Sequence, residues 1–120
     1  MNNTPVNQPL ASIARLIEGN NDFTLIMHVS PDGDAIGSAC ALRLALMAMG
    51  KRVQAVCDGD VPRIYRFLEG AEDIIKPNDA RITSAAIAVD CADEGRMGAA
   101  DEIFAQAKHT ANIDHHVTNT

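Results

Sequence analysis

The chain has 120 residues, 47% hydrophobic and 22% charged, the balance of one soluble globular domain with a single core. With no Trp, one Tyr and three Phe, that core must be aliphatic. A net charge of −6, with no Lys/Arg cluster larger than a pair, disfavours a basic DNA-binding module.

The longest apolar stretch, Ala35–Met49, is broken by Arg43 and falls short of the roughly 20 residues that span a bilayer. The N-terminus lacks the positive and apolar regions of a secretory signal. Three cysteines (Cys40, Cys57 and Cys91), odd in number and without a CxxC, argue against a disulfide scaffold. They suit a reducing cytoplasm, with all three read as core residues.

The first eight residues are polar and read as a disordered tail. From Pro9 to Glu18, Leu10, Ile13, Leu16 and Ile17 recur at helical spacing, and Gly19-Asn20 stops the helix. Thr24–Val29 is a short, mostly apolar run, the pattern of a buried strand. A Ser-Pro-Asp-Gly-Asp loop leads to a helix over Ala35–Met49, closed by Gly50 as a C′ glycine. That helix is apolar nearly all round. It is therefore expected to be covered on every side, either by the N-terminal helix or by residues of a partner or further sequence.

Arg52–Cys57 alternates as a second strand. Asp60 and Pro62 open one or two helical turns through Arg63–Gly70, and Glu72–Ile75 reads as a short edge strand. Ser84–Val89 is a third buried strand ending on Asp90. Gly98–Lys108 reads as an amphipathic helix with Ile103, Phe104 and Ala107 inward, and His109 ends it, where a cation suits the dipole. Ala111–Ile113 is a brief strand running into Asp114-His115-His116.

Strands alternating with helices imply an α/β fold, a mostly parallel sheet with helices on both faces. Ligands in such sheets bind beyond the carboxyl ends of the strands. Three polar clusters, His28-x-x-x-Asp32-x-Asp34, Asp90 and Asp114-His115-His116, each follow an expected strand, so they should converge at one edge. Taken singly each has an ordinary reading: Asp32 and Asp34 as helix caps, Asp90 as a turn residue, His28 as a core histidine. Taken together they form a His/Asp set without Cys, suited to Mn, Mg or Zn. Four carboxylates at one edge would repel one another without cations. Two divalent ions would neutralise them and form the usual clamp for phosphoryl hydrolysis.

The segments His28-Val-Ser-Pro-Asp-Gly-Asp-Ala-Ile-Gly-Ser38, Val89-Asp90-Cys-Ala-Asp93 with Arg96, and Asn112-Ile-Asp-His-His-Val-Thr-Asn119 resemble the first three motifs of the DHH phosphoesterase superfamily. The first motif is similar to that of the NrnA-type oligoribonuclease and pAp phosphatase group, and differs from RecJ-type exonucleases and family II pyrophosphatases. Val61–Gly70 resembles a further stretch of that group, and the likeness covers about residues 9–120.

The resemblance implies a Rossmann-like DHH domain and two-metal hydroxide attack on short single-stranded RNA or 3′-phosphoadenosine 5′-phosphate (pAp). The ions are Mn²⁺, with Mg²⁺ or Co²⁺ as substitutes. His28 and Asp32 would bind one ion, Asp34 and His115 the other, and Asp90 both. Asp114 would hold His115 in place. His116 would act on the scissile phosphate, with Ser38 and Arg96 as further substrate contacts.

The family continues to a fourth Asp and a C-terminal substrate-gripping domain. Residues 9–120 are therefore expected to be the N-terminal part of a catalytic domain that is incomplete at its C-terminus, poorly active alone, with no membrane association and compatible with a homodimer. A cyclic-di-AMP phosphodiesterase of the same superfamily, or a non-catalytic DHH-like binding module, is the alternative.

Overall fold

The computed structural model describes residues 8–27, 33–61, 63–65, 67–68, 71–89 and 98–113. Four strands, β1 (Asp22–Met27), β2 (Arg52–Val56), β3 (Ala85–Val89) and β4 (His109–Ile113), form one sheet in the order β2-β1-β3-β4. Every pairing is parallel. The helices are α1 (Gln8–Gly19), α2 (Gly33–Ala48) and α3 (Asp101–Gln106). Short 3₁₀ turns lie at Arg63–Tyr65, Ala71–Asp73 and Pro77–Asp79.

Side chains of a strand alternate between faces, and β1 uses both. Phe23, Leu25 and Met27 join Ile36, Ala39 and Leu46 of α2 in the larger core, where Leu16 and Ile17 of α1 also pack. Ile26 faces the other way, into a smaller core with Val56, Ala88, Ala100 and Ile103. Helices thus cover both faces of an all-parallel α/β sheet, as the alternation of elements implies.

Local signals terminate the helices as expected. Asn20 donates its Nδ2 hydrogen to the Leu16 carbonyl (2.8 Å), satisfying an orphan acceptor at the end of α1. Gly50 sits at φ 84° as the C′ residue of α2. Its N–H reaches the Met47 carbonyl (3.0 Å) and the Lys51 N–H reaches that of Leu46 (3.1 Å), the paired bonds of a Schellman motif.

Several expectations are corrected. The Gly98–Lys108 helix shrinks to a 3₁₀ turn over 98–100 and α3 at Asp101–Gln106. His109 does not end a helix: it opens β4, its N–H bonded to the Ser84 carbonyl (3.0 Å). Only Ala111 of β4 is even half-buried, so this edge strand has no alternation to read in the sequence. Glu72–Ile75 is not a strand; Ile75 alone bridges to Val56 on the outer edge of β2.

The covering of α2 is also one-sided. α1 packs chiefly against β4. Leu46 is buried and Leu42 half-buried, whereas Leu44 and Met47 are exposed and Met49 is 57% exposed. The apolar outer surface of α2 is therefore open in this chain.

At the amino end of the sheet a buried polar chain joins three segments. Gln54 donates Nε2 hydrogens to Thr24 Oγ1 (2.8 Å) and to the Arg81 carbonyl (2.6 Å). Thr83 donates to the Ala85 carbonyl (2.7 Å). A hydroxyl has one hydrogen, so in the 2.6 Å contact between Thr24 and Thr83 it is Thr24 that donates. The Gln54 Oε1 accepts from the Arg81 N–H (3.2 Å), and Arg81 Nη2 in turn pairs with Asp22 (2.5 Å). Buried polar groups stripped of their partners cost about 1–3 kcal/mol each. Gln54→Leu should therefore lower the unfolding free energy by about 1–3 kcal/mol. Denaturant melts should show a lower midpoint at an unchanged slope; an unchanged midpoint would mean the chain contributes nothing.

Candidate active site at the carboxyl edge of the sheet

The chain leaves β1 through α2 to reach β2 on one side, and later enters β3 on the other side of β1. The connection reverses direction between β1 and β3, and α2 and α3 lie on opposite faces. Such a switch point opens a crevice at the carboxyl edge of a parallel sheet.

Register brings three strand ends to that edge together. Met27 pairs with Val89, and Val89 pairs with Ile113. The residues that follow these three in sequence are His28, Asp90 and Asp114. His28, Asp32, Asp90, Arg96, Asp114, His115 and His116 all lie outside the described residues, as does Cys91. Asp34 stands in the first turn of α2, its side chain likewise outside the described part. Ser38 is exposed on the second turn. Among the described residues, no group of three or more His, Cys, Asp or Glu gathers closely enough to hold a metal ion. No helix among them is long and apolar enough to cross a membrane.

Beyond the carboxyl end of β2 the described residues do form a lined cavity of about 300 Å³, walled by the 57–61 and 71–76 stretches. Ile75 is clamped to β2: the Cys57 N–H donates to its carbonyl (3.0 Å), and its own N–H donates to Ala55 (2.9 Å). The next residue, Lys76, places its ammonium on the Gly59 carbonyl (2.9 Å) and on Asp60 Oδ1 (2.7 Å). The hydrogen bond to Asp60 raises the Lys76 pKa above its ordinary value, keeping the amine charged. Asp58 Oδ2 accepts the Ala99 N–H (2.8 Å), tying this loop to the entry of α3.

Sequence reasoning read Asp60 only as a helix start and passed over Lys76. The rule applied to the other strand ends would have singled out Asp58-Gly59-Asp60, which follows β2 in the same way. Cys40 and Cys57 are buried thiols, as expected of core residues. Burial pushes both thiol pKa values up, which disfavours the thiolate and a nucleophilic role.

Residues 22–120 match the model of the DHH family, N-terminal domain. The bifunctional oligoribonuclease and PAP phosphatase NrnA of Thermus thermophilus is 38% identical over 112 residues, 92% of this chain and 32% of that protein. The crystal structure of an exopolyphosphatase-related protein from Bacteroides fragilis aligns at a TM-score of 0.84 and 23% identity, covering 98% of this chain and 38% of the other. At that identity the likeness speaks for the fold alone. The chain thus spans about a third of the length of these relatives. A parallel sheet whose β1, β3 and β4 end in register just before His28, Asp90 and Asp114, together with the family match from Asp22 onward, leads to one assignment: the chain belongs to the DHH family, through its N-terminal domain.

Proposed function

We propose that the chain forms the metal-binding catalytic part of a cytoplasmic phosphoesterase acting on short oligoribonucleotides and pAp. The observation that carries this reading is the register Met27–Val89–Ile113 at the β1–β3 switch point, immediately before the three acidic and histidine clusters. The substrate class follows the name of the Thermus relative.

The donor set fits hard or borderline divalent ions: imidazole and carboxylate groups with no thiolate. His28 and Asp32 would hold one Mn²⁺, Asp34 and His115 a second, and Asp90 would serve both. When bound, the ions supply Lewis-acid chemistry, lowering the pKa of water and neutralising phosphoryl charge. Asp114 would accept the free ring N–H of His115 and fix its tautomer. Neighbouring side chains in an extended segment leave the backbone on opposite sides, so His115 and His116 would divide the work, with His116 donating a hydrogen bond or proton to the phosphate. Ser38, exposed near the start of α2, and Arg96 would bind remaining phosphoryl oxygens.

Two expectations test the assignment. Calorimetric titration should find Mn²⁺ binding that Asp90→Ala weakens at least tenfold, with a matching loss of metal-dependent thermal stabilisation. Equal affinity in the variant would overturn the ligand set. Assayed against pAp in a full-length enzyme that carries the family's remaining segments, His115→Ala should weaken metal affinity and recover partly in excess Mn²⁺. His116→Ala should keep metal affinity but lose kcat by roughly 10²–10⁴-fold, without rescue. Identical metal dependence of the two variants would refute the division of labour.

A further inference from the structure

The cavity beyond β2 belongs to the same edge of the sheet as the crevice, one strand over from β1. Strands stand about 5 Å apart, and the cavity is walled by β2's end and the segment bridged to its outer edge, so it lies on the order of 7–12 Å across the sheet from the β1–β3 crevice, about the reach of a purine nucleoside from its phosphate. Its volume of about 300 Å³ is at the lower end of the range for small-molecule pockets.

We propose that this cavity is a nucleobase pocket, taking the base of the nucleotide whose phosphate meets the β1–β3 crevice. The proposal rests on the phosphoesterase reading only for the nucleotide's orientation.

The lining selects a base over a phosphate. Its apolar part comes from Val61, Ala71, Ile74 and Ile75, which give a flat ring aliphatic surface to pack on. Its polar part comes from Asp60, Glu72 and Lys76, two carboxylates against one ammonium. The local balance is therefore negative, and a phosphate would meet like charge. A neutral base carrying an exocyclic amine suits it: the amine donates to Glu72, a carboxylate with several acceptor sites. Lys76 spends two of its three ammonium donors on Gly59 and Asp60, so it is held in place with a third to give to a ring nitrogen or carbonyl. Uracil has no exocyclic amine and offers Glu72 only its ring N3–H, flanked by two carbonyl oxygens that a carboxylate repels.

Amide chemical shifts of the ¹⁵N-labelled chain test the proposal, with EDTA present and nucleosides as probes. Adenosine should shift the amides of Gly59, Glu72, Ile75 and Lys76 saturably, and uridine should bind several-fold more weakly. Lys76→Met, at a half-exposed side chain that does not carry the core, and Glu72→Ala should each weaken adenosine binding at least fivefold with the spectrum otherwise preserved. Shifts that map elsewhere, an unchanged affinity in both variants, or inorganic phosphate perturbing the same amides would each overturn the assignment. Adenosine carries no phosphate and the assay no metal, so its binding is read independently of the metal ligands. Failure of Mn²⁺ binding alone would then remove the phosphoesterase reading and leave the pocket, and failure of adenosine binding alone would do the reverse.

Discussion

The structure depends on β1, a strand that is buried on both faces and paired on both edges. From Phe23 to Met27 it gives nothing to solvent. Its odd positions anchor the core shared with α1 and α2, and Ile26 anchors the core shared with α3. Its pairings with β2 and β3 set the register of the whole sheet. A slip of one residue would exchange the two faces. Thr24, made for the polar chain under Gln54 and Thr83, would then enter the aliphatic core unpartnered.

The two ends of this sheet serve different purposes. At the amino end, Asp22 is paired with Arg81 and Arg52, and the Gln54–Thr24–Thr83 chain ties three segments together. Polar groups there satisfy one another. At the carboxyl end the strands stop together, and the chain departs to opposite faces on either side of the switch point. The buried polar chain of the described residues thus lies at the amino edge, while the carboxyl edge leads into the charged residues that follow β1, β3 and β4 in sequence.

α2 shows how composition and environment can part. Its sequence is apolar on nearly every face, yet only one side is covered. Ala35, Ile36, Ala39 and Leu46 are packed on the sheet, and the small Ala residues that share the outer surface with Leu44 and Met47 keep the exposed apolar area modest. Arg43, the one basic residue within it, reaches sideways to Asp73 (3.4 Å), on the turn that walls the cavity.

The order of helices and parallel strands was legible in the sequence because each signal is local. A helix reveals itself through apolar residues three and four apart in sequence, as over Leu10–Ile17, and its end through a single Gly50. Of the candidate site, the convergence of strand ends was legible as well, since the carboxyl-edge rule needs only strands and their direction; β1, β3 and β4 end in register just before the singled-out clusters. What lay beyond reach depends on residues far apart in the chain. The strand order β2-β1-β3-β4, the seating of α1 on β4, and the extension of β4 back to His109 follow from which surfaces meet. An exposed edge strand carries no periodicity of its own. The cavity beyond β2 is of the same kind: Lys76 meets Gly59 and Asp60 across 17 and 16 residues, and only the bridge of Ile75 to Val56 brings them together. Local sequence determined the elements and where they end; the tertiary structure decided which ends meet, because that choice is made by burying both faces of β1 at once.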